Sequence, residues 1–276
     1  MTVRSQAVDL LKGIAVVLMI NVHIIELFAS NSINNVLSGK IFLFLGGPPV
    51  APLFALIFGY YISASKKTLT QLITRGAKIF CLGMLLNIAL NLNLLLSANK
   101  GLLKVDVLHY IFGVDILQFA GISIILLALV KKILEKNILV TFSLAALSAF
   151  LGAFLLNYIP ANTTLKYLSS FFYGSTAWSY FPLFPWIAYP LVGMAFYQLT
   201  QRFDLSKLNK ISYKLLMVLS LILFLAFTIR YAVSISSDLQ LYYHHGIIFA
   251  LWTFLFLAFY CFFVNETDKL IGKTVL

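Results

Sequence analysis

Four residues near the start of the chain, Asp9, Lys12, His23 and Glu26, carry side chains that do chemistry. At about 100° per residue they fall within roughly one 100° sector of a single α-helix. Lys12 and His23 are eleven residues apart, which puts them on one face with roughly 16–17 Å between them. A neutral imidazole at His23 is suited to take a proton from a hydroxyl or amine near neutrality. Glu26, one turn on, would hold its tautomer or stabilise the imidazolium. A stripe of this kind must face protein or a water-filled cavity. Each ionisable residue within a span costs about 3 kcal/mol on insertion scales and so marks a candidate site. A plainer reading stands beside this one. Asp9 and Lys12 also fit interfacial anchors, with the ammonium snorkelling to water, and His23 also fits a helix-packing histidine.

Three further places carry polar groups in apolar surroundings. Asp115 and Gln118 are one turn apart in Gly113-Val114-Asp115-Ile116-Leu117-Gln118, and Arg230, stranded in another apolar run, is the expected partner of Asp115. His244-His245 open an apolar run and read either as a polar boundary or as contacts to a substrate. Without a neighbouring carboxylate motif they do not suggest a metal site. In Phe181-Pro182-Leu183-Phe184-Pro185-Trp186 two prolines imply a bent, broken backbone, which at membrane depth usually lines a cavity. Trp186 also suits an interfacial anchor.

These residues sit in a chain that water alone would not keep folded. Of 276 residues 61% are hydrophobic and 11% charged, against roughly 25% charged in soluble domains. A soluble fold of this size has no way to hide so much apolar surface. Eight stretches reach the ~20 residues needed to cross hydrocarbon: about 8–29, 40–64, 76–97, 108–130, 138–159, 179–200, 212–235 and 245–264. The net charge of +11 comes without a basic, aromatic-interleaved stripe, so no nucleic-acid partner is expected. Instead, fifteen basic residues fall at the N-terminus (Arg4, Lys12), in alternate loops (Lys66, Lys67, Arg75, Lys78; Lys131, Lys132, Lys136; Arg202, Lys207, Lys210, Lys214) and in the tail (Lys269, Lys273). The intervening loops hold only Lys40, Lys100, Lys104 and Lys166. The positive-inside rule puts the larger set, and both chain ends, in the cytoplasm. The expected fold is an all-α polytopic transmembrane helix bundle of about eight spans, forming one domain over residues 1–276. His23 and Glu26 interrupt the first apolar run, so an uncleaved span is expected there rather than a signal peptide. Cys81 and Cys261 both lie in apolar runs and read as small core residues, not a disulfide. Glu266–Leu276, with Gly272-Lys273, reads as the approach to a further span.

Arg4 followed by Val8-Asp9-Leu10-Leu11-Lys12-Gly13 and then Asn21-Val22-His23 resembles the opening of bacterial membrane acyltransferases. The specific likeness is to the heparan-α-glucosaminide N-acetyltransferase catalytic-domain family, which is related to the acyltransferase-3 family. It continues through Ala51-Pro52-Leu53-Phe54, Phe58-Gly59-Tyr60, Arg75-Gly76, Gly83, Val114–Gln118, Phe184-Pro185-Trp186 and Gly193. Lys12 stands where many relatives have arginine, and the relatives generally continue through further C-terminal spans, so the chain is expected to be C-terminally short.

The resemblance implies transfer of an acyl group, acetyl above all, from cytoplasmic acyl-CoA to a sugar hydroxyl or amine of an extracytoplasmic glycan or glycolipid. It implies the bacterial cytoplasmic membrane as the location, acetyl-CoA as donor and no metal. His23, Glu26 and Asp115 would be catalytic, and Lys12, Arg75 and Lys78 would receive the donor's phosphates. Asp9, Gln118, Trp186, Arg230, His244 and His245 would contact the acceptor. The lipid bilayer and a second copy of the chain complete the expected partners. The alternatives are a transporter whose polar stripe lines a substrate path, and an inactive membrane protein of the same fold.

Overall fold

A computed structural model describes residues 6–30, 36–203 and 211–274, with side chains as far as 266. Arg4, Lys207 and Lys210 lie outside the described residues, as do the side chains of Lys269 and Lys273.

The described residues form helices and no strand, as the composition requires: in hydrocarbon every backbone group must be satisfied within its own segment. Six helical segments are long and apolar enough to cross a membrane: Gln6–Phe28, Leu37–Ala64, Leu69–Leu90, Ile116–Leu134, Ile211–Ser236 and Ile247–Glu266. The first is α1. The second is two helices, α2 (Leu37–Gly46) and α3 (Ala51–Ala64), broken around Gly47-Pro48-Pro49. The others are α4 (Leu69–Leu90), α7 (Ile116–Leu134), α12 (Ile211–Ser236) and α14 (Ile247–Thr274). The segment from Glu266 is helical and continuous with α14 as far as Thr274.

Two shorter units run between the same ends of the bundle. In α8 (Ile138–Phe154), Thr141 bonds the Leu134 carbonyl at one end, and Gly152 abuts Pro185 at the other. The unit formed by α10 (Leu183–Trp186) and α11 (Ala188–Arg202) is broken at Phe184, whose φ/ψ of −99°/124° is not helical. The expected proline break is therefore present. The remaining short helices are α5 (Leu92–Asn99), α6 (Val107–Ile111), α9 (Thr163–Ser169) and α13 (Leu239–Tyr243). Two expected boundaries shift. The third span starts at Leu69, set by a Thr68/Gln71 capping box, and the fourth starts only at Ile116, after the separate α6.

The glycines quoted in the family likeness explain how the helices meet. A Cβ on Gly59 of α3 would lie 2.0 Å from the Pro190 carbonyl oxygen of α11, and one on Gly193 of α11 would lie 2.0 Å from that of Leu56. Gly76 of α4 and Gly121 of α7 are reciprocal in the same way, each 2.8 Å from the other's oxygen. Small residues let backbones approach where burial from water supplies no drive. The main core, around Trp186, Tyr189 and Phe119, lies where α7, α8, α10 and α11 meet. A second cluster, with Leu11, Ala15, Ile57 and Val264, fastens α1 to α3 and α14.

The bundle has two distinct ends. Lys12 lies over the Tyr61 ring of α3, Lys131 bonds the Ser65 carbonyl (2.7 Å), and Lys214 pairs with Glu266. These contacts gather the lysine- and arginine-rich loops at one end, as the alternation of charge requires. Glu26, Asp115 and Tyr243 mark the other end.

Candidate active site

α1 is unbroken from Gln6 to Phe28, so Lys12 and His23 do stand on one continuous helix. The stripe resolves into two pairs, one at each end. Asp9 and Lys12 approach to 3.9 Å, and His23 Nδ1 lies 3.2 Å from Glu26 Oε2. The face of α1 that packs is that of Leu11, Ala15 and Val22, and the polar stripe runs along its border. His23 is consequently not enclosed by helices: its side chain keeps 57% exposure, against 17% for Glu26. Along the stripe Glu26 is the most sheltered, Asp9 and Lys12 are half-buried, and His23 is the most open. With Nδ1 turned to the carboxylate, Nε2 is the nitrogen presented outward.

Glu26 does not act alone at that end. It feels the charge of Asp115. The phenols of Tyr180 and Tyr243, outside the spans, are pushed upward by burial first and then by the charges of both carboxylates. Residues remote in sequence thus share one electrostatic neighbourhood. The expectation grouped Asp115 with Glu26; Tyr180 and Tyr243 are additions that no sequence spacing reveals.

Asp115 is placed by backbone. It is the N-cap of α7, accepting from Ile116 N at 2.6 Å, and Gln118 Oε1 accepts from Asp115 N in return (3.2 Å). Just before it, Asn87 of α4 donates to the carbonyls of Ile111 (3.1 Å) and Gly113 (2.8 Å). Val114 then pairs with the 178–181 segment: its N–H donates to Trp178 O (2.8 Å) and its carbonyl accepts from Tyr180 N (2.9 Å). A short non-helical seam, satisfied by side chain and backbone, therefore carries both Asp115 and Tyr180.

Several expected site residues have other duties. Among the described residues no ion pair joins Asp115 to Arg230; Arg230 is exposed on α12 while Asp115 caps α7. Gln118 is buried where α7 meets Gly83 of α4 and serves the cap, so it does not line an open site. Trp186 is no interfacial anchor. It is fully buried and donates Nε1–H to the Tyr243 carbonyl (2.8 Å), fixing that tyrosine's backbone. His244 and His245 are buried rather than a polar boundary, and both ring nitrogens of His245 are used, by Tyr189 and by the Tyr242 carbonyl. Arg75 and Lys78 line an open cavity of about 570 Å³ on α4, of which Lys12 is not a lining residue. Cys81 is exposed, not core, and both cysteines are free. No cluster that would hold a metal occurs among the described residues.

Sequence reasoning missed an outer cluster built around Asp106. Its carboxylate accepts from Tyr167 Oη (2.9 Å) and lies 3.2 Å from His109 Nε2, while His109 stacks on Trp178 at 4.1 Å. The i,i+3 spacing of Asp106 and His109 was the available signal.

Residues 4–235 match the family model described as heparan-alpha-glucosaminide N-acetyltransferase, catalytic. The chain belongs to this family. The match takes in Lys12, His23, Glu26, Asp115 and Trp186 and ends before His244. No curated protein and no solved structure matches the chain. Family membership and the apolar helices together make it an integral membrane protein of an acetyltransferase family.

Proposed function

We propose that the protein moves an acetyl group from cytoplasmic acetyl-CoA to a hydroxyl or amine of an extracytoplasmic glycan or glycolipid, in the cytoplasmic membrane of a bacterium. The observation that carries this reading is the His23–Glu26 pair at 3.2 Å, at the opposite end of one continuous helix from Lys12. Lys12 meets the anionic donor at the lysine-rich end, and the roughly 16–17 Å of helix rise to His23 is the path for an extended pantetheine arm.

His23 Nε2 takes the proton of the acceptor hydroxyl or amine as that atom attacks the thioester carbonyl. Glu26 fixes Nδ1–H and stabilises the imidazolium. The carbon–sulfur bond then breaks, and the proton passes from His23 to the departing CoA thiolate. The acceptor lies among Asp115, Tyr180 and Tyr243, which share the electrostatic neighbourhood of Glu26.

Membranes incubated with acetyl-labelled acetyl-CoA test the reading. Label transferred to a glycan or glycolipid fraction by the wild type, and lost in His23→Ala, supports it. Undiminished transfer by His23→Ala overturns it.

A further inference from the structure

The cavity on α4 is lined by residues of that helix and the loop before it, among them Lys67, Thr70, Gln71, Thr74, Arg75 and Lys78. Its wall is thus the outward face of one helix. The opposite face, with Leu72, Gly76 and Gly83, is buried, and the two glycines lie against α7. Gln71, Thr74, Lys78, Leu82 and Leu85 recur at three- and four-residue spacing and form one stripe. Leu82 and Leu85 are 57% and 62% exposed, directly beyond the cations. No carboxylate pairs with Lys67, Arg75 or Lys78 among the described residues.

We infer that this stripe binds an anionic phospholipid, with its phosphate among Lys67, Thr74, Arg75 and Lys78 and its acyl chains along Leu82 and Leu85. Unpaired cations with hydroxyls at the lysine-rich end of a span, continuous with exposed leucines, match a lipid in both charge and shape. A nucleotide would use the cations and leave the leucines bare. The cavity is lined by α4 and the loop before it, without Lys12 or any other residue of α1, so the site stands apart from the acyl-transfer reading and survives its failure.

Native mass spectrometry of the full chain released from nanodiscs of equal parts phosphatidylglycerol and phosphatidylcholine tests the assignment. The wild type is expected to retain phosphatidylglycerol preferentially. The Arg75→Gln/Lys78→Gln variant is expected to lose that retention about 25-fold, at roughly fivefold per cation near a membrane surface. Lys132→Gln/Lys136→Gln, at the end of α7 and just beyond it, should retain the lipid, and excess 3′,5′-ADP should not displace it. Unchanged retention in the first variant, equal loss in the second, or displacement by the nucleotide overturns the inference. Should the double variant fail to fold, Arg75→Gln and Lys78→Gln tested singly are each expected to cost about fivefold.

Discussion

His23 Nδ1 and Glu26 Oε2 are 3.2 Å apart across one turn of α1, and the carboxylate is the more sheltered of the two. In the proposed mechanism the sheltered member orients and the exposed member takes the proton. His23→Ala is therefore expected to lower kcat by about 10²–10⁴, the usual contribution of a general base. Glu26→Gln should lower kcat less, with KM for acetyl-CoA unchanged, because the amide keeps a weaker hold on the ring. Steady-state transfer rates in membranes check both. A larger loss from Glu26→Gln than from His23→Ala would reverse the assigned roles.

Asn87 makes two bonds that the seam before Asp115 depends on. Leucine at this position leaves two carbonyls short of a donor, at a cost of about 1–3 kcal/mol for each one left buried and unpaired. Asn87→Leu is expected to unfold at lower temperature and to lose transfer activity, since Asp115 and Tyr180 are carried on that seam. A thermal melt in detergent, paired with the transfer assay, measures both.

The sequence made some of this legible and hid the rest for physical reasons. The α1 stripe and the spans could be read because helical period and hydropathy are local properties. The break at Phe184 followed from two prolines. The two tyrosines near Glu26 could not be read, because Tyr180 and Tyr243 are placed by backbone pairing to Val114 and by a tryptophan bond between distant segments. Arg230 looked like a partner for Asp115 on charge alone, yet a capped helix start already uses that carboxylate. His245 read as a polar boundary or a substrate contact because it opens an apolar run, whereas the chain there folds inward onto Tyr189.

Asp106 gives the outer cluster a pH window. Its hydrogen bond from Tyr167 is the main cause that holds its carboxyl below the usual range, so the stability it lends is present above about pH 4 and is lost as pH falls through the lowered value. Burial, followed by the bond to Asp106, pushes the Tyr167 phenol up to about 12. Its contribution is whole below about pH 10 and is lost as pH rises through about 12. Hydrogen exchange across residues 106–112 is expected to accelerate at both limits, and Asp106→Asn should abolish the acid one. Asp106 is largely exposed, so the effect is local opening rather than global unfolding.

Gly59 has no room for a methyl group, because its Cβ would sit 2.0 Å from a backbone oxygen of α11. Backbone cannot rotate away as a side chain can, so Gly59→Ala must push α3 and α11 apart. A cost of at least ~3 kcal/mol is expected, at the upper end for overpacking. Gly13→Ala, where nothing lies within 4 Å, is the matched control and should leave the melt unchanged. Equal stability for both variants would mean that the α3–α11 contact is not that close in the membrane.

His245 separates a structural histidine from a substrate ligand. Its Nδ1–H donates to the Tyr242 carbonyl at 2.7 Å, so Nε2 has only a lone pair and accepts the Tyr189 hydroxyl at 2.8 Å. His245→Phe removes the acceptor of a fully buried phenol, at about 1–3 kcal/mol. Tyr189→Phe combined with His245→Phe removes donor and acceptor together and is expected to recover part of that loss, since exchanging both partners for apolar groups costs far less than orphaning one. The folded fraction of either variant should keep the wild-type KM for acceptor. A raised KM at unchanged melting temperature would instead make His245 a substrate ligand, because a side chain that only packs moves stability and leaves binding alone.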